Sequence, residues 1–174
     1  MPSIDGKTVI DEIVAAFRDV PRPDRCVPND YVAYGETDAL DYLTGKTWLE
    51  VASDVGYMFR HAPQQFYFMT RECLFYLLPG YLLGAITHPA ESVAGVIPDL
   101  VLLLHWTYFG AGVGEAWELH AYICDRLTVD QKRAVTHWLE LMLERDRERS
   151  PELYMTGAPP TRLLQAFNGW RHWA

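Results

Sequence analysis

Residues Thr70 to Thr87 read TRECLFYLLPGYLLGAIT, the most apolar helix-like stretch of the 174-residue chain. Leu74, Leu77, Leu78, Tyr81, Leu82 and Ala85 recur at helical spacing, while Phe75, Tyr76 and Leu83 fill the sides that a surface helix keeps polar. A helix apolar nearly all round belongs in the middle of a core, packed on several faces. Thr70 suits the cap position, where its hydroxyl accepts from a free first-turn N–H. Glu72 follows in the first turn, where the helix dipole favours an anion. Pro79 lacks an N–H and crowds the carbonyl of Phe75, a cost of roughly 3 kcal/mol in a regular helix. A kink or break is therefore expected near Pro79. Gly80 and Gly84 let a second backbone come close. The apolar run is about 14 residues, short of the roughly 20 needed to cross a bilayer, so no membrane partner is expected.

Outward from this stretch, further helices announce themselves. On the N-terminal side, Val9, Ile10, Ile13, Val14 and Phe17 form one stripe of a helix over 8–19, stopped by Pro21-Arg22-Pro23. Residues 20–35 make a long polar connection. Glu36 to Leu43 forms a short helix, and Thr47 with Glu50 makes a T-x-x-E capping box for the next one. On the C-terminal side, Leu100 to Leu104 is an apolar run that suits helix, and Glu115 to Arg126 is another helix. Thr128 and Gln131 form a second capping box, followed by Val135, Trp138, Leu139 and Met142 at helical spacing. Residues 150–160 are a proline-rich loop. Thr161 opens a last helix with Leu163, Leu164, Phe167 and Trp170 inward. The expected fold is all-α: a single-domain irregular helical bundle over residues 1–174, built around a Pro-kinked central helix.

At 49% hydrophobic residues, and with its length, the chain needs neither metal nor disulfide to fold. Cys26, Cys73 and Cys124 are odd in number and widely spaced, which suggests no disulfide framework. Cys73 and Cys124 lie in apolar helical context, as buried thiols do. The N-terminal MPSIDGKTVIDEIV carries acids where an export signal carries bases. These features together lead to an expectation of the cytoplasm.

The formal charge of −8 argues against nucleic acid, which demands a basic face. Its distribution says more. Between Asp30 and Asp54 six acids stand against Lys46 alone, a net −5, and no lysine or arginine occurs from Glu72 to Asp125. Tyr31 and Tyr34 lie among the acids Asp30, Glu36, Asp38 and Asp41. Tyrosine offers contact area at low entropic cost, and local charge steers an oppositely charged partner. These six residues are the expected partner-binding set, against the plain alternative of a solvated acidic face.

Enzymatic chemistry has weaker support. His120 and Cys124 are four apart on one helix, near Glu115 and Asp125, and His137, Glu140 and Glu144 are three and four apart on another. Either group could supply metal ligands, but neither matches a recognised zinc pattern. Cys73 sits where a thiolate is disfavoured. The YFGAGVG stretch at Tyr108–Gly114 contains G-x-G-x-G, yet Glu115 follows where a phosphate loop needs Lys-Ser/Thr. No catalytic residue, metal ligand or cofactor is assigned. A metal-dependent or pocket enzyme using the His120 or His137 helix stands as the alternative, with an oligomeric scaffold third.

Gly45-Lys46-Thr47-Trp48, then Phe75-Tyr76-Leu77-Leu78-Pro79-Gly80-Tyr81-Leu82, then Leu127-Thr128 with Gln131 and Val135, then Trp170 or Trp173, follow in order. This order resembles a family of small bacterial proteins of unknown function, from about residue 36 to the end, with YLLP as its most specific part. Gly80 stands where that pattern prefers alanine, and Val129-Asp130 replaces Pro-Glu, exchanges expected to leave the fold intact. The resemblance implies no activity. By association, small acidic bacterial proteins of this kind are often immunity proteins that bind a toxin stoichiometrically. The functional expectation is a non-enzymatic binding protein whose partner is a protein, possibly a basic toxin domain.

Overall fold

Local capping signals set where the helices begin. In a computed structural model, which describes residues 4–26, 45–54, 70–89, 100–101, 104, 115–155 and 160–173, six α-helices follow in order. They are α1 (Gly6–Phe17), α2 (Trp48–Ser53), α3 (Arg71–Thr87), α4 (Glu115–Arg126), α5 (Val129–Arg149) and α6 (Arg162–Trp170), with 3₁₀ turns at Pro151–Tyr154 and Arg171–Trp173. Among the described residues there is no strand, and the all-α class stands. The expected helix at Glu36–Leu43 lies outside the described residues. The Cα trace divides into two compact units, Arg18–Leu100 and Met1–Phe17 with Val101–Ala174.

The first of these units is centred on α3. The Thr70 hydroxyl accepts from the Cys73 N–H at 3.2 Å, as the sequence suggested. Buried residues run from Cys73 to Ile86 with only Phe75 partly exposed, so α3 has no polar face. The helix continues unbroken across Pro79, where a break was one expectation. Pro79 is itself buried with its neighbours, and their packing sustains the helix through a position that lacks a donor. α2 packs on α3, led by buried Trp48, Val51 and Ala52. Its Thr47–Glu50 capping box is complete: the Thr47 N–H donates to the Glu50 carboxylate at 2.7 Å, and the Glu50 N–H donates to the Thr47 hydroxyl at 3.2 Å. The Thr47 N–H, and after it the Thr47 hydroxyl donating to the same carboxylate at 2.8 Å, hold the Glu50 carboxyl below its ordinary range.

A disulfide joins Cys26 to Cys73. This corrects the expectation that Cys73 is a buried thiol and that the chain carries no disulfide. Three cysteines separated by tens of residues carry no local pairing signal; the fold supplies it by bringing the end of the Arg18–Cys26 segment to the first turn of α3, with the two Cα atoms 4.8 Å apart. Thr70 reinforces the junction. Its N–H donates to the Cys26 carbonyl at 2.9 Å, and its hydroxyl donates to the Arg25 carbonyl at 3.1 Å.

In the other unit, α5 is the central element, with α1 and α6 packed on it. Val9, Ile13 and Phe17 of α1 are buried, three of the five residues of the expected stripe. Val135, Trp138, Leu139 and Met142 of α5 are buried as their spacing required. The Thr128–Gln131 capping box is complete. Gln131 also extends its amide to the carbonyl of Ala16 in α1, at 3.1 Å. The Trp170 indole N–H donates to the Leu104 carbonyl at 2.7 Å, and the Thr136 hydroxyl lies 3.1 Å from the Trp170 carbonyl oxygen. Large apolar side chains and a few satisfied polar ones thus fix the last helix in place.

Candidate functional site

Asp30, Tyr31, Tyr34, Glu36, Asp38 and Asp41 all lie outside the described residues. What is described is the frame from which their segment departs and to which it returns. The chain enters it at Cys26, bonded covalently to α3 and hydrogen-bonded through its carbonyl to Thr70. It leaves at Gly45, which adopts φ +95°, a left-handed conformation that glycine takes without strain. Two residues on, Thr47 caps α2. The described residues on either side of the acidic segment are thus Cys26, held by a disulfide, and Gly45, two residues before a helix cap. Of the remaining acids in the −5 stretch, Glu50 and Asp54 are exposed on and just after α2.

The two histidine groups differ from each other. On α4, the Cys124 Sγ lies 3.3 Å from the His120 Nε2, so this i, i+4 pair does meet. Burial pushes the Cys124 thiol up to about 11, and Asp125 adds to the effect while Lys132 opposes it. A thiol held protonated is a poor nucleophile and a poor metal ligand. On α5, His137 pairs not with Glu140 or Glu144 but with Glu12 of α1, its Nδ1 2.6 Å from the carboxylate Oε2. Sequence reasoning missed this partner because it lies 125 residues away. Among the described residues no group of three or more His, Cys, Asp or Glu is placed to hold a metal ion.

Two surface hollows lie in the α5 unit. One, of about 260 Å³, runs between α1 and α5 and is lined by Glu12, Ala15, Ala16, Asp130, Arg133 and Ala134. Its charges are spoken for: Arg133 pairs with Asp130 at 3.0 Å, and Glu12 with His137. The other, of about 410 Å³, is lined chiefly by Leu153, Tyr154, Met155, Pro160 and Leu164, with Arg147 at its side. Leu153 is 48% and Met155 65% exposed. The Tyr154 hydroxyl donates to Asp146, and burial followed by that bond pushes the phenol up to about 12. Neither hollow gathers a nucleophile, a base and an oxyanion donor at one point, the minimum for acyl-transfer chemistry. No helix among the described residues is long and apolar enough to cross a membrane. No protein-family model, curated protein or solved structure matches the chain.

Proposed function

We propose that this protein is a non-enzymatic binding module that holds a basic protein partner through the acidic segment containing Asp30, Tyr31, Tyr34, Glu36, Asp38 and Asp41. In its most specific form it is an immunity protein that neutralises a cognate bacterial toxin by stoichiometric binding. The observation that carries this reading is the frame of the segment. A stretch of net −5 begins four residues after a disulfide-anchored Cys26 and runs into the capped start of α2. Fixing the ends of a recognition segment removes part of the ordering cost of binding. Concentrated negative charge raises the association rate with a basic surface and makes it fall with salt.

The sequence resemblance supports the class of protein, not its activity. The test is to isolate the partner from the native host and weigh the complex in solution. The expected result is a one-to-one complex with a protein of basic surface that loses its own activity when bound. A homo-oligomer with no second protein would instead make the chain a scaffold. Metal retained by the purified protein and lost on His120→Ala or His137→Ala would make it an enzyme candidate.

A further inference from the structure

The Cys26–Cys73 bond is not needed to build a core. A chain of this length has the size to fold without a cross-link, and the buried residues that α2 packs on α3 are Trp48, Val51 and Ala52, neither bonded cysteine among them. What the bond does hold is local: the end of the Arg18–Cys26 segment against the first turn of α3. The two residues are both buried but not equally: Cys73 is fully buried, whereas Cys26 keeps 8% of its surface exposed. They also differ as leaving groups. Cys73 is the third residue of the 17-residue helix α3, where the positive end of the helix dipole offsets part of the cost that burial places on a departing thiolate. Exchange is fastest when an accessible sulfur is attacked and a stabilised thiolate departs. In a reducing compartment, disulfides are for the most part transient and regulatory.

We propose that Cys26–Cys73 is a redox-operated clasp that locks the segment leading into Asp30–Asp41 onto the N-terminus of α3 when oxidised and releases it when reduced. The reductant is a dithiol, small-molecule or protein. Its thiolate attacks the Cys26 sulfur; the Cys26–Cys73 bond breaks, and the electron pair leaves on the Cys73 sulfur, which takes a proton. The second thiolate of the reductant then attacks its own sulfur in the mixed disulfide and frees Cys26, which is protonated in turn. Two electrons and two protons pass to the protein, and the dithiol becomes a disulfide. Oxidation runs the same steps in reverse with an oxidised dithiol. Cys124 stays out of the exchange, because burial keeps its thiol protonated. With the bond gone, the covalent link at the junction is lost and the two hydrogen bonds of Thr70 remain. The regulatory meaning of the clasp rests on the binding reading above; its mechanics do not.

The test uses the whole chain and no partner. Arg25 is exposed and its peptide bond to Cys26 is a trypsin site at the clasp itself. The rate of cleavage there is measured for oxidised protein, for protein reduced with dithiothreitol, and for Cys26→Ser, with sites in α5 as the internal reference. The expected result is cleavage after Arg25 at least about tenfold faster in the reduced protein and in Cys26→Ser, unchanged cleavage in α5, and recovery on reoxidation, since cross-links act by restricting open states. Equal rates before and after reduction would overturn the proposal. So would loss of the whole helical circular dichroism signal on reduction, which would make the bond a structural staple. Charge reversal in the oxidised protein tests the binding reading separately.

Discussion

A methyl group at Gly80 would stand 2.4 Å from the carbonyl oxygen of Trp48 and 3.2 Å from its carbonyl carbon, so α2 and α3 meet backbone to backbone at this point. The obstacle is main chain, which cannot rotate aside as a side chain would. Gly80→Ala is therefore expected to destabilise the protein by about 3 kcal/mol, near the upper end of ordinary overpacking. Urea unfolding measures it; a loss below about 1 kcal/mol would mean that the helices separate at little cost.

Gln131 serves two helices at once. Its amide oxygen accepts from the Thr128 N–H at 3.0 Å while its amide nitrogen donates to Ala16 at 3.1 Å. Gln131→Met keeps the volume and removes both bonds at a buried position, leaving a donor and an acceptor unpaired. The expected loss is about 2 kcal/mol by chemical denaturation. Thr128→Ala removes only the hydroxyl of the capping box and is expected to cost about 1 kcal/mol.

Glu12 and His137 join α1 to α5 at a partly exposed site, so solvent screens the pair. A double-mutant cycle with Glu12→Gln and His137→Phe is expected to return a coupling of about 0.5–1 kcal/mol. Neither change is expected to alter partner binding. Loss of a catalytic activity in His137→Phe with stability intact would favour the enzyme alternative instead.

The Cys124 thiol, raised from 9.0 to about 11, sets two expectations. At pH 8 the thiolate fraction falls about a hundredfold below that of an ordinary cysteine, so iodoacetamide labelling of the native protein is expected to slow by about that factor. The linkage sign follows from the same shift. The folded state holds this proton more tightly than the unfolded state, so the contribution is present below the unfolded value and is lost as pH rises towards about 11. Removing the thiol by Cys124→Ala is expected to flatten the fall in stability between about pH 9 and 11.

What the sequence made legible follows the range of each interaction. The capping boxes at Thr47–Glu50 and Thr128–Gln131, the Thr70 cap, and the buried spacing of Val9, Ile13 and Phe17 or of Val135, Trp138 and Leu139 are all settled within a few residues, and they appear where the pattern placed them. Pairings across the chain are invisible to such rules. The 47-residue separation of Cys26 and Cys73 and the 125-residue separation of His137 and Glu12 are products of the fold. Pro79 lies between these cases: its local cost was legible, but the burial that lets α3 continue through it was not. The acidic segment proposed to bind a partner was readable as charge and composition alone, and the structure of its described flanks emerged only from the contacts at Cys26 and Thr70 and the backbone at Gly45.

The central claim is that acids on an anchored segment draw in a basic partner. Stopped-flow association of the isolated native partner, measured against salt concentration, tests it most directly with wild type and with a variant carrying Asp30→Lys, Glu36→Lys, Asp38→Lys and Asp41→Lys. The prediction is that wild-type association slows steeply with salt, and that the variant associates at least about tenfold more slowly at low salt with a nearly flat salt dependence. A variant that associates at the wild-type rate across all salt concentrations would contradict the account.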